Sequence, residues 1–173
     1  MPSRDDYLAM PVADRLARLA RSPDDLAAAI AGRSDAELSR RAPGGWSAKE
    51  TVCHLRDIEE LCILRYHTML AMDDPKVFVV AGPPHGDSPF VLSADRWAAD
   101  RQYLRNDTPE ALDAFRRRRG EVLAFLDALS PEQRQRGSIH PEHGRWTYEE
   151  FVAGVAGHDD NHLEQARGAL SHV

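Results

Sequence analysis

The sequence is poor in the features that tie a chain to a special environment. It has two cysteines, Cys53 and Cys62. On one helix they would stand about 13.5 Å apart along the axis, too far to bridge. A disulfide scaffold is thus excluded, and both are expected to be reduced core residues. Positive charge is not in excess: the net charge is −6. Nucleic acid is therefore not expected as the main partner, because neutralising phosphates needs a basic face. No apolar run reaches the length of a membrane span. Residues 1–6 carry no apolar signal core, and the cytoplasm is the expected location. Strand patterning is also scarce. Only Val77–Val80 reads as a short apolar run, which an extended segment would suit, and no sheet is convincing.

What is present is a chain of 173 residues with 42% hydrophobic and 29% charged residues. That is enough for one domain with a proper core and too little for two. The expectation is a single domain over 1–173, with its core at about 12–171 and an arm over residues 1–10.

Helix signals are dense. Val12, Leu16 and Leu19 recur with helical spacing after Pro11, which suits the first helical position. Ser22-Pro23-Asp24-Asp25 reads as a further start, with Ser22 as N-cap. Two helices, or one kinked at Pro23, are both compatible with this pattern. Ser34-Asp35-Ala36-Glu37 begins a short turn. After the break at Pro43-Gly44-Gly45, Ser47 and Glu50 form a capping box. The helix they open runs to about Ala71, with Ala48, Val52, Leu55, Ile58, Cys62, Tyr66 and Met69 as its apolar stripe. Residues 73–107 are the least regular part, with a short helix expected from Asp95 to Tyr103. A connection of that length is usually functional or mobile. Thr108 as N-cap and Pro109 start a third long helix, striped by Leu112, Phe115, Val122, Leu126 and Leu129. After Ser130-Pro131, Gly137 to Gly144 reads as a loop.

Thr147 and Glu150 then form a second capping box, and the last helix follows. The pattern W-[ST]-x-x-E occurs at 46–50 and again at 146–150, each after a Ser-led turn at Ser34 or Ser130. This suggests a weak internal repeat of helix pairs. The expected fold is all-α: a four-helix bundle with a long irregular connection between helices 2 and 3, which permits a non-sequential arrangement.

On the last helix, Phe151, Val155, His158, His162, Ala166 and Ala169 define one stripe. His158 and His162 sit mid-stripe, one turn apart, where a helix normally buries its residues. At that spacing Cβ atoms are roughly 5–6 Å apart, and two imidazoles can converge on one metal ion. The alternative is a pair of core histidines hydrogen-bonded to backbone or carboxylates. His54 lies at the edge of its own stripe, eight residues after Trp46. Crossing helices could bring all three imidazoles together. Three histidines with one open position make a catalytic type of metal site, because structural sites close all four.

Trp46-Ser47-x-x-Glu50-x-x-x-His54-Leu55-x-Asp57-x-Glu59, followed by Phe115-x-x-x-Arg119, Gly144-x-x-Thr147-x-x-Glu150 and His158-x-x-x-His162-x-x-Gln165, resembles the DinB/YfiT-like superfamily from about Ser34 to the end. The resemblance implies a four-helix bundle that binds one divalent metal through His54, His158 and His162. It further implies relatives that are bacillithiol S-transferases, mycothiol-dependent maleylpyruvate isomerases or metal-dependent hydrolases, with dimers common.

Around this centre several residues are open to two readings. Arg119 is either a buried ion pair with Glu59 or Asp159, or an anion clamp in the pocket. Asp57 and Asp159 either orient the ligand imidazoles or face solvent. His140-Pro141-Glu142-His143 has H-x-x-H spacing and is a rival metal site, although the family often carries an apolar residue at position 143. His67, His85 and His172 read as surface histidines.

The expected activity is thiol transfer. A coordinated low-molecular-weight thiol is held as thiolate and attacks an electrophilic small-molecule substrate. Arg119 or a residue of 73–107 would anchor the thiol cofactor's carboxylates. Hydrolysis by a metal-activated hydroxide is the alternative. A metal-binding stress or regulatory protein without turnover, and a purely structural bundle, are rivals of another class. Zinc, nickel, iron and manganese all suit three imidazoles. A homodimer is a further expectation.

Overall fold

The computed structural model describes residues 4–82 and 88–171. Its elements in order are α1 (Arg4–Leu8), α2 (Val12–Ile30), α3 (Asp35–Leu38), α4 (Ala48–Ala71), β1 (Val79–Ala81), β2 (Val91–Ser93), α5 (Ala94–Asp100), α6 (Thr108–Asp127), α7 (Pro131–Arg134), β3 (Gly137–His140), β4 (Gly144–Thr147) and α8 (Tyr148–Ser171). The long helices α2, α4, α6 and α8 form the bundle. Both α2 and α4 pack against α6 and α8 and barely meet each other, so the first two stand on a diagonal. The arrangement is non-sequential, but the long connection over 73–107 joins the neighbours α4 and α6, and the diagonal steps are made by the shorter connections over 31–47 and 128–147. Among the described residues, no helix is long and apolar enough to cross a membrane.

The caps are where the sequence places them, with one shift. Ser47 accepts from the Glu50 amide, and the Glu50 carboxylate accepts from the Ser47 amide at 3.0 Å. Thr147 and Glu150 repeat this at 2.8 Å. The Ser34 and Ser130 turns also carry capping boxes. The exception is α6, whose N-cap is Asp107, accepting from the Glu110 amide at 2.8 Å, while Thr108 is the first helical residue and is buried. A carboxylate and a hydroxyl both cap well, so adjacent Asp and Thr leave the choice to packing.

Other expectations are corrected. Residues 4–8 are not a free arm. They form α1, docked on α8 through buried Tyr7, whose hydroxyl donates to Asp160. Arg4 donates to Glu150 at 3.1 Å and lies over the Trp146 ring. A helix of five residues has no stability of its own, so only these distant contacts hold it. Residues 137–147 are not a loop followed directly by a helix. They form an antiparallel hairpin pairing Gly137 with Thr147 and His140 with Gly144. Gly144 takes the positive φ (78°) that the turn requires. The run at 77–80 is partly extended: β1 pairs in parallel with β2. The short helix of the connection ends at Asp100, before a separate 3₁₀ turn over Tyr103–Arg105.

Pro23 breaks no helix. α2 runs unbroken from Val12 to Ile30, with Pro11 as its N-cap rather than its first residue. Pro23 has no N–H to offer the Leu19 carbonyl one turn earlier. That carbonyl accepts instead from Arg119 Nη1, at 2.9 Å.

Arg119 explains the layering of the core. One apolar cluster contains Leu19, Cys62, Val122 and Ala156. A second contains Leu26, Leu55, Phe115 and Leu163. On α4, α6 and α8 the residues between them are Glu59, Arg119 and Asp159, all about 1–2% exposed. Arg119 donates to both oxygens of Glu59 at 2.8 Å and to Asp159 at 2.7 Å. A fully buried ion triad thus separates two apolar layers. Burial works against each charge, yet the two carboxylates hold the guanidinium well above its usual range.

Candidate metal centre

His54 projects from α4, and His158 and His162 from α8. His54 is 3% exposed, while the other two are half-buried. His54 Nε2 and His158 Nε2 are 3.1 Å apart. The ring centroids of His54 and His162 are 4.5 Å apart, and those of His158 and His162 are 4.3 Å apart. One ligand nitrogen from each histidine lies within 4.8 Å of the other two. The sequence-derived trio therefore converges at one point.

This donor set fits a divalent ion. A Zn–N bond of about 2.0–2.1 Å puts neighbouring nitrogens of a tetrahedron roughly 3.3 Å apart, close to the separation of His54 and His158. A metal needs neutral imidazoles, and burial favours that form at His54 and His162. Burial first, and then His162 and His158, hold His54 well below the usual histidine range. Burial and then His158 push His162 down to about 3.

The His162 ring is oriented by Gln165, whose Oε1 accepts from Nδ1 at 2.7 Å. That leaves the Nε2 lone pair for the centre. Behind His158, Asp159 Oδ1 lies 3.9 Å from Nδ1. Both atoms are buried without a partner. Asp159 uses its other oxygen on Arg119. Burial would raise its pKa, but Arg119 holds the carboxylate well below the usual range. It is thus an anion beside the His158 imidazole, an arrangement that metal sites commonly have.

The centre forms the floor of a cleft of about 400 Å³ lined by Trp46, Gly82, Asp95 and Gln165 besides the histidines. The Trp46 ring meets His54 edge-on at 4.9 Å and stacks on His162 at 6.1 Å. Its indole N–H donates to Asp95 at 2.8 Å. Asp95 is the cleft's exposed carboxylate. The sequence carries no signal for it, because it arrives from the irregular connection. Gln165 does stand in the family pattern, but its task is visible only in the structure.

The remaining candidates fall elsewhere. Arg119 is a buried ion pair with both Glu59 and Asp159, not an anion clamp in the cleft. Asp57 faces neither a histidine nor solvent. It is 1% exposed and pairs with Arg56, Arg101 and Arg118 on the α4–α6 side. His140, Glu142 and His143 do cluster, with His140 Nδ1 accepting from the Glu142 amide at 3.1 Å and both rings packed on Trp146. His67 is exposed, whereas His85 and His172 lie outside the described residues. Cys53 and Cys62 are buried thiols, raised by that burial to about 11 and about 12. Neither offers a nucleophile at neutral pH.

Residues 18–166 match the family model of the DinB superfamily. The chain belongs to that superfamily. A solved structure, that of YfiT from Bacillus subtilis, superposes with a TM-score of 0.79 at 19% sequence identity, covering 99% of this chain and 90% of that one. YfiT is described as a probable metal-dependent hydrolase with an unusual four-helix bundle topology. At this identity the likeness establishes the fold alone. No curated protein matches the sequence. Within the DinB superfamily frame, the resemblance read from the motifs and the diagonal bundle agree.

Two expectations arise here. Gln165→Leu leaves the fold intact and frees His162 Nδ1, so divalent-metal affinity should drop about 10–100-fold, as read by competition with a chelating dye. An unchanged affinity would remove Gln165 from the centre. The second concerns pH. Burial, then His143, hold His140 down to about 4, and His54 and His162 are depressed too. Between the ordinary histidine value of 6.5 and these lower values, the unfolded chain binds more protons than the folded one. Stability is then full above that ordinary value and is lost as pH falls. The melting temperature of metal-free protein should decline steadily from pH 6.5 to pH 4. A flat profile over that window would show that these imidazoles are not held neutral.

Proposed function

We propose that this DinB superfamily protein is a divalent-metal-dependent enzyme that activates a low-molecular-weight thiol for S-transfer to an electrophilic small molecule. The observation that carries the reading is the convergence of three imidazoles at the floor of an open cleft. A divalent ion there would supply Lewis acidity and lower the pKa of a thiol or water placed beside it. His54, His158 and His162 would hold the ion. Gln165 orients His162, the Asp159 carboxylate lies 3.9 Å behind His158, and Trp46 packs on His54. The protein's own thiols are inert, so a reacting thiol must come from outside.

Hydrolysis is the second reading, and Asp95 favours it. The Trp46 indole pins one of its oxygens at the cleft wall, and a carboxylate so placed can take a proton from water. The test uses metal-loaded protein and its His158→Ala variant. They are incubated with monochlorobimane and cysteine, bacillithiol or mycothiol, and separately with p-nitrophenyl esters. Conjugate formed by wild type and lost in the variant supports S-transfer. Ester cleavage lost in the variant supports hydrolysis. Bound metal with neither activity points to a binding protein without turnover.

A further inference from the structure

A second, smaller slot adjoins the first cleft and shares His158 and Val80 with it. Its volume is about 170 Å³, and His158 stands at one end. Its walls are Ile58, Val79, Val80, Phe151 and Val155, and Arg65 and His140 close the far end. Its length follows from the two helices that form it. Ile58 to Arg65 on α4 and His158 to Phe151 on α8 each span seven residues, about 10 Å. A cavity of about 150 Å³ lined by aliphatic and aromatic side chains accommodates one benzene ring, so the slot has room for a small organic molecule.

Arg65 is the informative residue. It is 9% exposed, and its guanidinium lies over the Phe151 ring at 4.6 Å. Among the described residues no carboxylate pairs with it. Nη2 donates to the Phe78 carbonyl at 3.0 Å, while Nε is buried without a partner. The other deeply buried guanidinium with no carboxylate, Arg15, is spent on two backbone carbonyls, Met10 and Glu149. A buried, uncompensated cation is costly and is retained where an anion completes it. Guanidinium suits a planar carboxylate in particular. His140 adds a second donor: its Nδ1 accepts from the Glu142 amide, so its neutral ring carries the proton on Nε2.

We infer that this slot binds a small aryl-carboxylate, its carboxylate on Arg65 and its apolar body between Ile58, Val80 and Val155, so that its opposite end is presented at His158. The slot then selects the second, electrophilic substrate as an organic acid, while the larger adjoining cleft admits the nucleophile. This assignment rests on the proposed metal-dependent reading only for what happens at the His158 end.

The test is titration of metal-free protein with 3-phenylpropionate by calorimetry, beside its neutral isostere 3-phenylpropanamide. The carboxylate should bind the wild type, with the amide at least tenfold weaker and Arg65→Gln at least tenfold weaker for the carboxylate. No binding to the metal-free wild type, or equal binding of acid and amide, overturns the assignment. These two results need no variant, so misfolding of Arg65→Gln would not blunt them. Binding that appears only on metal loading and persists in Arg65→Gln also overturns it, since the carboxylate is then a ligand of the metal. Because the titration is metal-free, a failed metal reading leaves the slot standing, and a failed slot leaves the metal centre standing.

Discussion

His158→Ala should purify without metal, whereas the wild type should hold close to one divalent ion per chain. His54→Ala and His162→Ala should behave alike, because each removes one of three converging nitrogens. Loss of a partner that merely orients a ligand costs about 10–100-fold in affinity, and loss of a ligand itself should exceed that. Metal analysis of protein prepared without an affinity tag or chelator reads the result directly. A second readout is thermal. Free metal at a hundredfold excess over Kd stabilises by about 2.7 kcal/mol. For a chain of this size, 1 kcal/mol shifts Tm by about 2–4 °C, so loading should raise the wild-type Tm by roughly 5–11 °C. The alanine variants should show no such shift. A wild type that takes up no metal after reconstitution with zinc, nickel, iron or manganese would return the three histidines to the role of packed core residues.

Arg119→Met should be the most damaging single change in the core. It leaves Glu59 and Asp159 fully buried with no counter-charge, and it strips the Leu19 carbonyl of the donor that replaces the N–H missing at Pro23. Breaking one partner out of a buried ion cluster costs about 3–5 kcal/mol, read as a lower urea midpoint at unchanged slope. Replacing all three together, Arg119→Met with Glu59→Leu and Asp159→Leu, should recover most of the loss, since no charge is then stranded. If the triple variant is as unstable as the single one, the triad's worth lies in shape rather than charge. The single variant should also bind metal more weakly. Without Arg119, the buried Asp159 carboxylate is driven toward protonation and stops acting as an anion beside His158.

Much of this protein is legible in its sequence because helices are local objects. A capping box spans four residues, so Ser47–Glu50 and Thr147–Glu150 announce α4 and α8 to within a residue. Apolar stripes at i, i+3 and i+4 place His158 and His162 on one face, and the same arithmetic brings His54 to the matching face of α4. What could not be read there depends on residues far apart in the chain. Residues 4–8 look like an arm because contacts far away in the chain, Asp160, Glu150 and Trp146 among them, make them a helix. Asp57 is three residues from His54, a spacing that suggests a partner. In the fold that carboxylate turns to Arg101 and Arg118, because α6 and the segment after α5 pack on that side of α4. The periodicity that buries Arg119 leaves open what it serves. Only the meeting of α2, α4, α6 and α8 makes it the centre of a triad rather than a clamp in the cleft. Asp95 and the slot ending at Arg65 are invisible to any periodic pattern, since the irregular connection brings one and closes the other. The sequence by itself determined the helices, their starts and the faces that carry the histidine trio, all set by interactions within a few turns. The tertiary structure decided which charges are paired, what covers the centre and which guanidinium is left without a carboxylate among the described residues, because those follow from burial between helices and not along them.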